Sequence, residues 1–177
     1  MNASAQERNK QAAQAAEQAQ YLTFMLGGEV LAIGILAIKE IIEYHSLTVV
    51  PMMPACIRGV INLRGAVVPV VDLSARFGQK PTEVTKRTCI VIVEIASGDE
   101  RQDVGVVVDA VNEVLDIQTS DIEPAPAFGA RIRTDFIEGM GKVNGKLVIL
   151  LNVNHVLSVD ELGTLGEFGA EHLKAAA

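Results

Sequence analysis

From Tyr21 onward the apolar residues of this chain fall into short runs rich in Val, Ile and Leu. The runs are broken by Gly27-Gly28, the prolines at 51 and 54, Ser97-Gly98-Asp99 and Asn144-Gly145. Runs of that length between turn residues predict β-strands. Gly27-Gly28 and Asn144-Gly145 predict tight hairpin turns, because both pairs tolerate the positive φ that two-residue turns require. Around residues 33–42 the period is ambiguous, since Ile35, Ile38 and Ile42 also fit one face of a helix.

An internal repeat resolves that ambiguity. Residues 57–73, IRGVINLRGAVVPVVDL, reappear in outline as residues 137–153, IEGMGKVNGKLVILLNV, with glycines matched at 59 and 139 and at 65 and 145. Upstream, residues 31–41 align with 104–114 and Pro51 with Pro124, at an offset of 73 (31 to 104) against 80 (57 to 137) later. The second copy therefore holds a longer loop between Pro124 and Ile137. Val106-Val107-Val108 is β-branched and follows a hairpin from the run 89–95, so both copies read as strand, short turn at Leu36-Ala37 or Asp109-Ala110, and strand again.

Each copy then holds about five short strands, too few to cover both faces of a flat sheet; closure into a small barrel also removes the exposed edges. The fold expected is mainly all-β: two five-stranded barrels packed side by side, with the first copy at 20–73, a linker at 74–87 and the second copy at 88–153. The pattern leaves open whether the first strand of a copy stays in its own barrel or crosses to the other. The linker has Gly78, Pro81, several charges and no apolar period, which predicts an exposed connector. Residues 1–19 are rich in Ala and Gln but lack an apolar stripe, so a frayed polar tail is expected. Past Val153 the pattern turns helical, and Ser158-Val159-Asp160-Glu161 fits a capping box, predicting a short C-terminal helix and a frayed end over 157–177.

At 177 residues and 49% hydrophobic the chain is globular, with room for one compact domain or two small lobes. A net charge of −7 argues against a nucleic-acid or anionic-membrane partner, because those need clustered Lys and Arg. No apolar run approaches a membrane span and the first residues lack a signal-peptide core, so a cytoplasmic protein is expected. Cys56 and Cys89, and His45, His155 and His172, have no metal-ligand spacing; no metal or cofactor is expected, and the thiols are expected reduced and buried. No nucleophile, base and orienting group can be assembled, and phosphate-loop and dinucleotide patterns are missing. Asp72 ends a strand, and its duplicate is Asn152, which favours a residue bonding nearby backbone over a catalytic carboxylate.

The copies differ in charge where they agree in frame. Arg64 stands at a turn where the second copy has Asn144, Arg58 is matched by Glu138, and Asn62 by Lys142. A binding face on the first lobe would produce that asymmetry. Glu40 and Arg64 could form a bidentate pair or stand as separate solvated charges; spacing favours neither.

Arg58-Gly59-Val60-Ile61-Asn62-Leu63-Arg64-Gly65, followed by Val67-Val68-Pro69-Val70-Val71-Asp72-Leu73, closely resembles the central signature of the CheW family of bacterial chemotaxis coupling proteins. Val106-Val107-Val108-Asp109, Ile122-Glu123-Pro124-Ala125-Pro126 and Gly139-Met140-Gly141 extend the resemblance over roughly residues 20–162. It implies two SH3-like barrels without catalysis, joining the cytoplasmic tip of methyl-accepting chemoreceptors to the regulatory domain of the chemotaxis histidine kinase at membrane-associated arrays. It also implies a contact surface including Ile38, Glu40, Ile41, Asn62 and Arg64, to which the asymmetry between the copies adds Arg58, with Val106 and Val107 as the far wall of a receptor-binding groove. The same signature occurs in the kinase's own regulatory domain and in receiver-fused couplers, which are the alternative readings; a stand-alone coupler fits this chain length best.

Overall fold

The computed structural model describes residues 18–125 and 134–158. Strands β1 (Gln18–Leu26) and β2 (Glu29–Gly34) form a hairpin across Gly27-Gly28, and a 3-10 turn at Ile35–Ala37 leads into β3 (Ile38–Glu43). A second hairpin, β4 (Ile57–Leu63) and β5 (Ala66–Asp72), runs into a four-residue helix α1 (Leu73–Arg76). The order then repeats: β6 (Cys89–Ser97), β7 (Glu100–Val108), β8 (Ala110–Gln118), a 3-10 turn, the short β9 (Ile122–Glu123), β10 (Ile137–Val143), β11 (Lys146–Leu151) and α2 (Val153–Val156). Strand, turn and strand across Leu36-Ala37 and across Asp109 is the arrangement the repeat predicts.

The strands form two sheets, ordered β3-β6-β7-β5-β4 and β8-β1-β2-β11-β10-β9. Thr48, beyond β3, bridges Val60 of β4 and closes the first sheet; β9, continuing β8 past its turn, pairs with β10 and closes the second. These closures explain the repeated glycine two residues into β4 and β10. A Cβ on Gly59 would lie 2.5 Å from the Thr48 carbonyl oxygen, and one on Gly139 would lie 2.6 Å from Ile122 Cγ2.

The membership of the sheets settles what the pattern left open. The β1–β2 hairpin, from the first copy, lies in the barrel with β8, β10 and β11 of the second; β6–β7 lies with β3, β4 and β5 of the first. The copies at 20–73 and 88–153 are thus sequence repeats, and each barrel draws on both. The apolar residues show why. Along β6, Ile90 and Ile92 point into the first barrel, while Val91, Val93 and Ile95 join a larger core between the barrels; Leu22, Phe24 and Leu26 of β1 join that shared core from the other side. Strands apolar on both faces need cover on both, and the junction provides it. Tyr21, Ala32, Ile117, Val148 and Leu150 fill the second barrel.

Past α1 the connector is exposed as expected except at Thr82, which is buried and anchors it. One expectation changes. The helix after the second copy starts at Val153, earlier than expected, where Asn152 accepts the His155 N–H at 3.3 Å. The capping box beginning at Ser158 and the helix expected over 157–177 fall almost wholly outside the described residues.

Candidate partner-binding face

Barrel closure brings the start of β3 beside the β4–β5 hairpin. Arg64 occupies the first turn position with φ of 53° and Gly65 the second with φ of 85°, the left-handed pair that a tight hairpin needs. A non-glycine residue rarely adopts this conformation, and Asn62 supports it by accepting the Gly65 N–H on Oδ1 at 2.9 Å. The turn aims Arg64 at Glu40, where Nη2 meets Oε2 at 2.9 Å. Of the two arrangements the sequence allowed, the pair forms. Arg64 remains 81% exposed, so the pair adds little to stability and its charges stay available to a partner.

Ile41 is exposed next to Glu40, and Ile38 is half-buried against the core between the barrels. Sequence reasoning gave Val67 no role beyond its place in the apolar run after the turn; it lies across from Asn62 and is 71% exposed. Its duplicate Leu147 is also exposed, a shared oddity that could have flagged the position. Lys39 was missed as well. Glu94 and Asp103 stand opposite each other on β6 and β7, a repulsive placement that Lys39 relieves by bridging both at 3.1 and 3.0 Å, while Arg101 holds Glu94 at 2.9 Å. Hydrogen bonds to Asp103 and then Glu94 raise the Lys39 ammonium above its ordinary value. Those from Arg101 and then Lys39 lower the Glu94 carboxyl.

Arg58 has a different setting. Its Nη1 donates to the wholly buried Asp72 at 3.0 Å and to the Thr82 carbonyl at 2.7 Å, and its guanidinium sits 5.3 Å from the Tyr44 ring centre. Asp72 also accepts the Thr82 N–H at 2.9 Å and the Ala75 N–H at 3.3 Å, so it bonds nearby backbone, as the Asp/Asn pairing suggested, and in doing so caps α1. Arg58 therefore clamps the connector, with 23% of its side chain exposed. Val106 and Val107 correct the expected groove wall: both are 0% exposed, Val106 in the core between the barrels and Val107 inside the first barrel. Flanked by β5 and β6, β7 leaves neither side chain a surface to offer. The structure thus gathers Glu40, Ile41, Asn62 and Arg64 at one end of the first barrel, with Ile38 at its inner margin.

A family model described as the CheW-like domain matches residues 20–161. The chain belongs to the CheW family. Chemotaxis protein CheW of Klebsiella aerogenes is 32% identical over 86% of this chain and 90% of its own length, and that of Rhizobium meliloti is 35% identical over 79% and 88%. Among solved structures, the scaffolding protein CheW of Thermoanaerobacter tengcongensis superposes with a TM-score of 0.71 at 36% identity, covering 78% of this chain and 86% of that one. CheW-family membership makes this chain a chemotaxis coupling adaptor, and its paired barrels are the CheW fold. No described helix is long and apolar enough to cross a membrane.

Proposed function

We propose that the chain is a non-catalytic scaffold in the cytoplasm that couples chemoreceptor tips to the regulatory domain of the chemotaxis histidine kinase at receptor arrays. The observation that carries this reading is the Glu40–Arg64 pair, with exposed Ile41 following Glu40 on β3 and exposed Val67 across from Asn62 on the β4–β5 hairpin. Exposed aliphatic side chains gain by burial against a partner, and a rim pair that contributes little to the fold selects which partner docks. The second barrel has Asn144 at the equivalent turn, so the face is particular to one lobe.

Reconstitution tests it. Kinase autophosphorylation with receptor fragments should rise on adding the protein and stay at the uncoupled level with Arg64→Glu, whose melting temperature should match wild type. Glu40→Arg combined with Arg64→Glu should restore part of the activation. Full activation by Arg64→Glu alone would remove this face from the interface.

A further inference from the structure

Asn144-Gly145 forms the tight turn of the β10–β11 hairpin in the second barrel, with φ of 51° and 77°. Both residues are exposed, and no atom lies within 4 Å of the place a Cβ on Gly145 would take. The matching turn of the first barrel is tied down, because Asn62 accepts the Gly65 N–H at 2.9 Å. The repeat puts Lys142 in the place of Asn62 (62 to 142), and its ammonium, which has no acceptor to offer, pairs with Glu123. The Gly145 N–H therefore meets no acceptor among the described residues. The other described asparagines are engaged. Asn62, Asn152 and Asn154 each accept a backbone N–H on Oδ1, from Gly65, His155 and Ala96. Asn112 is followed by Glu113, whose N–H donates to Thr23 Oγ1 at 3.2 Å. None of those four precedes a glycine.

We infer that Asn144 is a modification site, where spontaneous deamidation turns a neutral hairpin into an anionic one. The Gly145 nitrogen gives up its proton and attacks Cγ of Asn144. The new C–N bond closes a five-membered succinimide, and the bond from Cγ to the amide nitrogen breaks to release ammonia. Water then opens the ring at either carbonyl, leaving aspartate or isoaspartate. Glycine permits the attack, because it has no Cβ to shield its nitrogen and its backbone is free to swing toward Cγ. Lys146 lines the same groove as Asn144, and its charge favours the nitrogen anion that attacks. Glu29 and Glu113 line that groove too, so the product adds a third acid beside one base. The change falls where the first barrel carries Arg64, and it widens the charge difference between the two lobes. Isoaspartate also adds a backbone methylene to the turn that sets Val143 across from Lys146.

Incubation of the full chain at mildly alkaline pH, followed by peptide mapping with mass spectrometry, tests the site. The peptide holding Asn144 should gain about 1 Da and one negative charge before any other asparagine peptide, those of Asn2 and Asn9 included. Fragmentation should resolve it into aspartate and isoaspartate forms. An unchanged Asn144 once another asparagine has converted overturns the inference. Aspartate as the sole product also overturns it, because direct hydrolysis would give that result without the ring. Two variants test the cause. Lys142→Asn offers Gly145 the side-chain oxygen that Asn62 gives Gly65, while Lys142→Ala removes the same cation and offers none. Conversion should be about threefold slower in Lys142→Asn than in Lys142→Ala. Equal rates in the two variants overturn the role given to the unbound N–H.

Discussion

Arg58→Ala removes the cation that, among the described residues, pairs with the buried Asp72 carboxylate. Losing one partner of a buried ion pair costs ~3–5 kcal/mol, because the other charge stays desolvated. Here the loss is softened, since Asp72 keeps the N–H groups of Thr82 and Ala75 and the Thr82 hydroxyl at 3.4 Å. It is deepened by the vacated place over the Tyr44 ring, worth ~0.5–1 kcal/mol. The expected cost is about 3 kcal/mol, or a fall in Tm of about 6–12 °C for a chain of this size. Asp72→Asn should cost less, about 1–2 kcal/mol, because the amide oxygen still caps α1 and the partly exposed Arg58 regains water. Urea denaturation followed by far-UV circular dichroism suits a chain without Trp, and unchanged m values would show that the denatured state is unaffected. An Arg58→Ala cost below about 0.5 kcal/mol, or a larger cost for Asp72→Asn, would refute the clamp and return Arg58 to the surface.

The closure glycines should differ in tolerance. Gly59→Ala drives a methyl into the fixed Thr48 carbonyl and should cost about 2–3 kcal/mol, whereas Gly139→Ala meets mainly the movable Ile122 side chain and should cost about 1–2 kcal/mol; the reverse order in urea titrations would contradict the closure geometry. The Lys39–Glu94 network sets a pH window. The lowered Glu94 carboxyl contributes stability above its ordinary pKa of 4.5 that is lost as pH falls through the folded value; the raised Lys39 contributes below 10.5 and loses its share as pH rises through its folded value. Glu94→Gln should therefore flatten the acid side of the Tm profile at low salt, and a profile identical to wild type would exclude the network as a source of pH dependence.

What could be read from the sequence was what the repeat constrained. The recurring Ile-x-Gly marks the two closures, and the Asp72/Asn152 match pointed to a residue bonding nearby backbone, which in the structure is the cap of a short helix in each copy. The exchange of hairpins could not be read, because a strand apolar on both faces looks the same whether its second face meets its own barrel or the neighbour. That same lack of alternation was the available sign that Val106 and Val107 are core. Arg58 looked like a surface charge, yet its partner changes with it: Arg58 with Asp72 becomes Glu138 with Asn152. Thr82 left no trace in the pattern, since one threonine in a polar connector looks like any other. Val67 was hidden by its place in an apolar run, where only its exposure separates it from the barrel frame.

The crossing of β1–β2 and β6–β7 bears on how a coupler transmits a signal. Every lobe motion has to carry strands rooted in the other half of the chain, so no single linker lets one barrel pivot while the other stays still. The shared core welds the crossing further. The two crossings and the shared core thus make the pair of barrels one folding unit: loss of either hairpin opens both barrels at once.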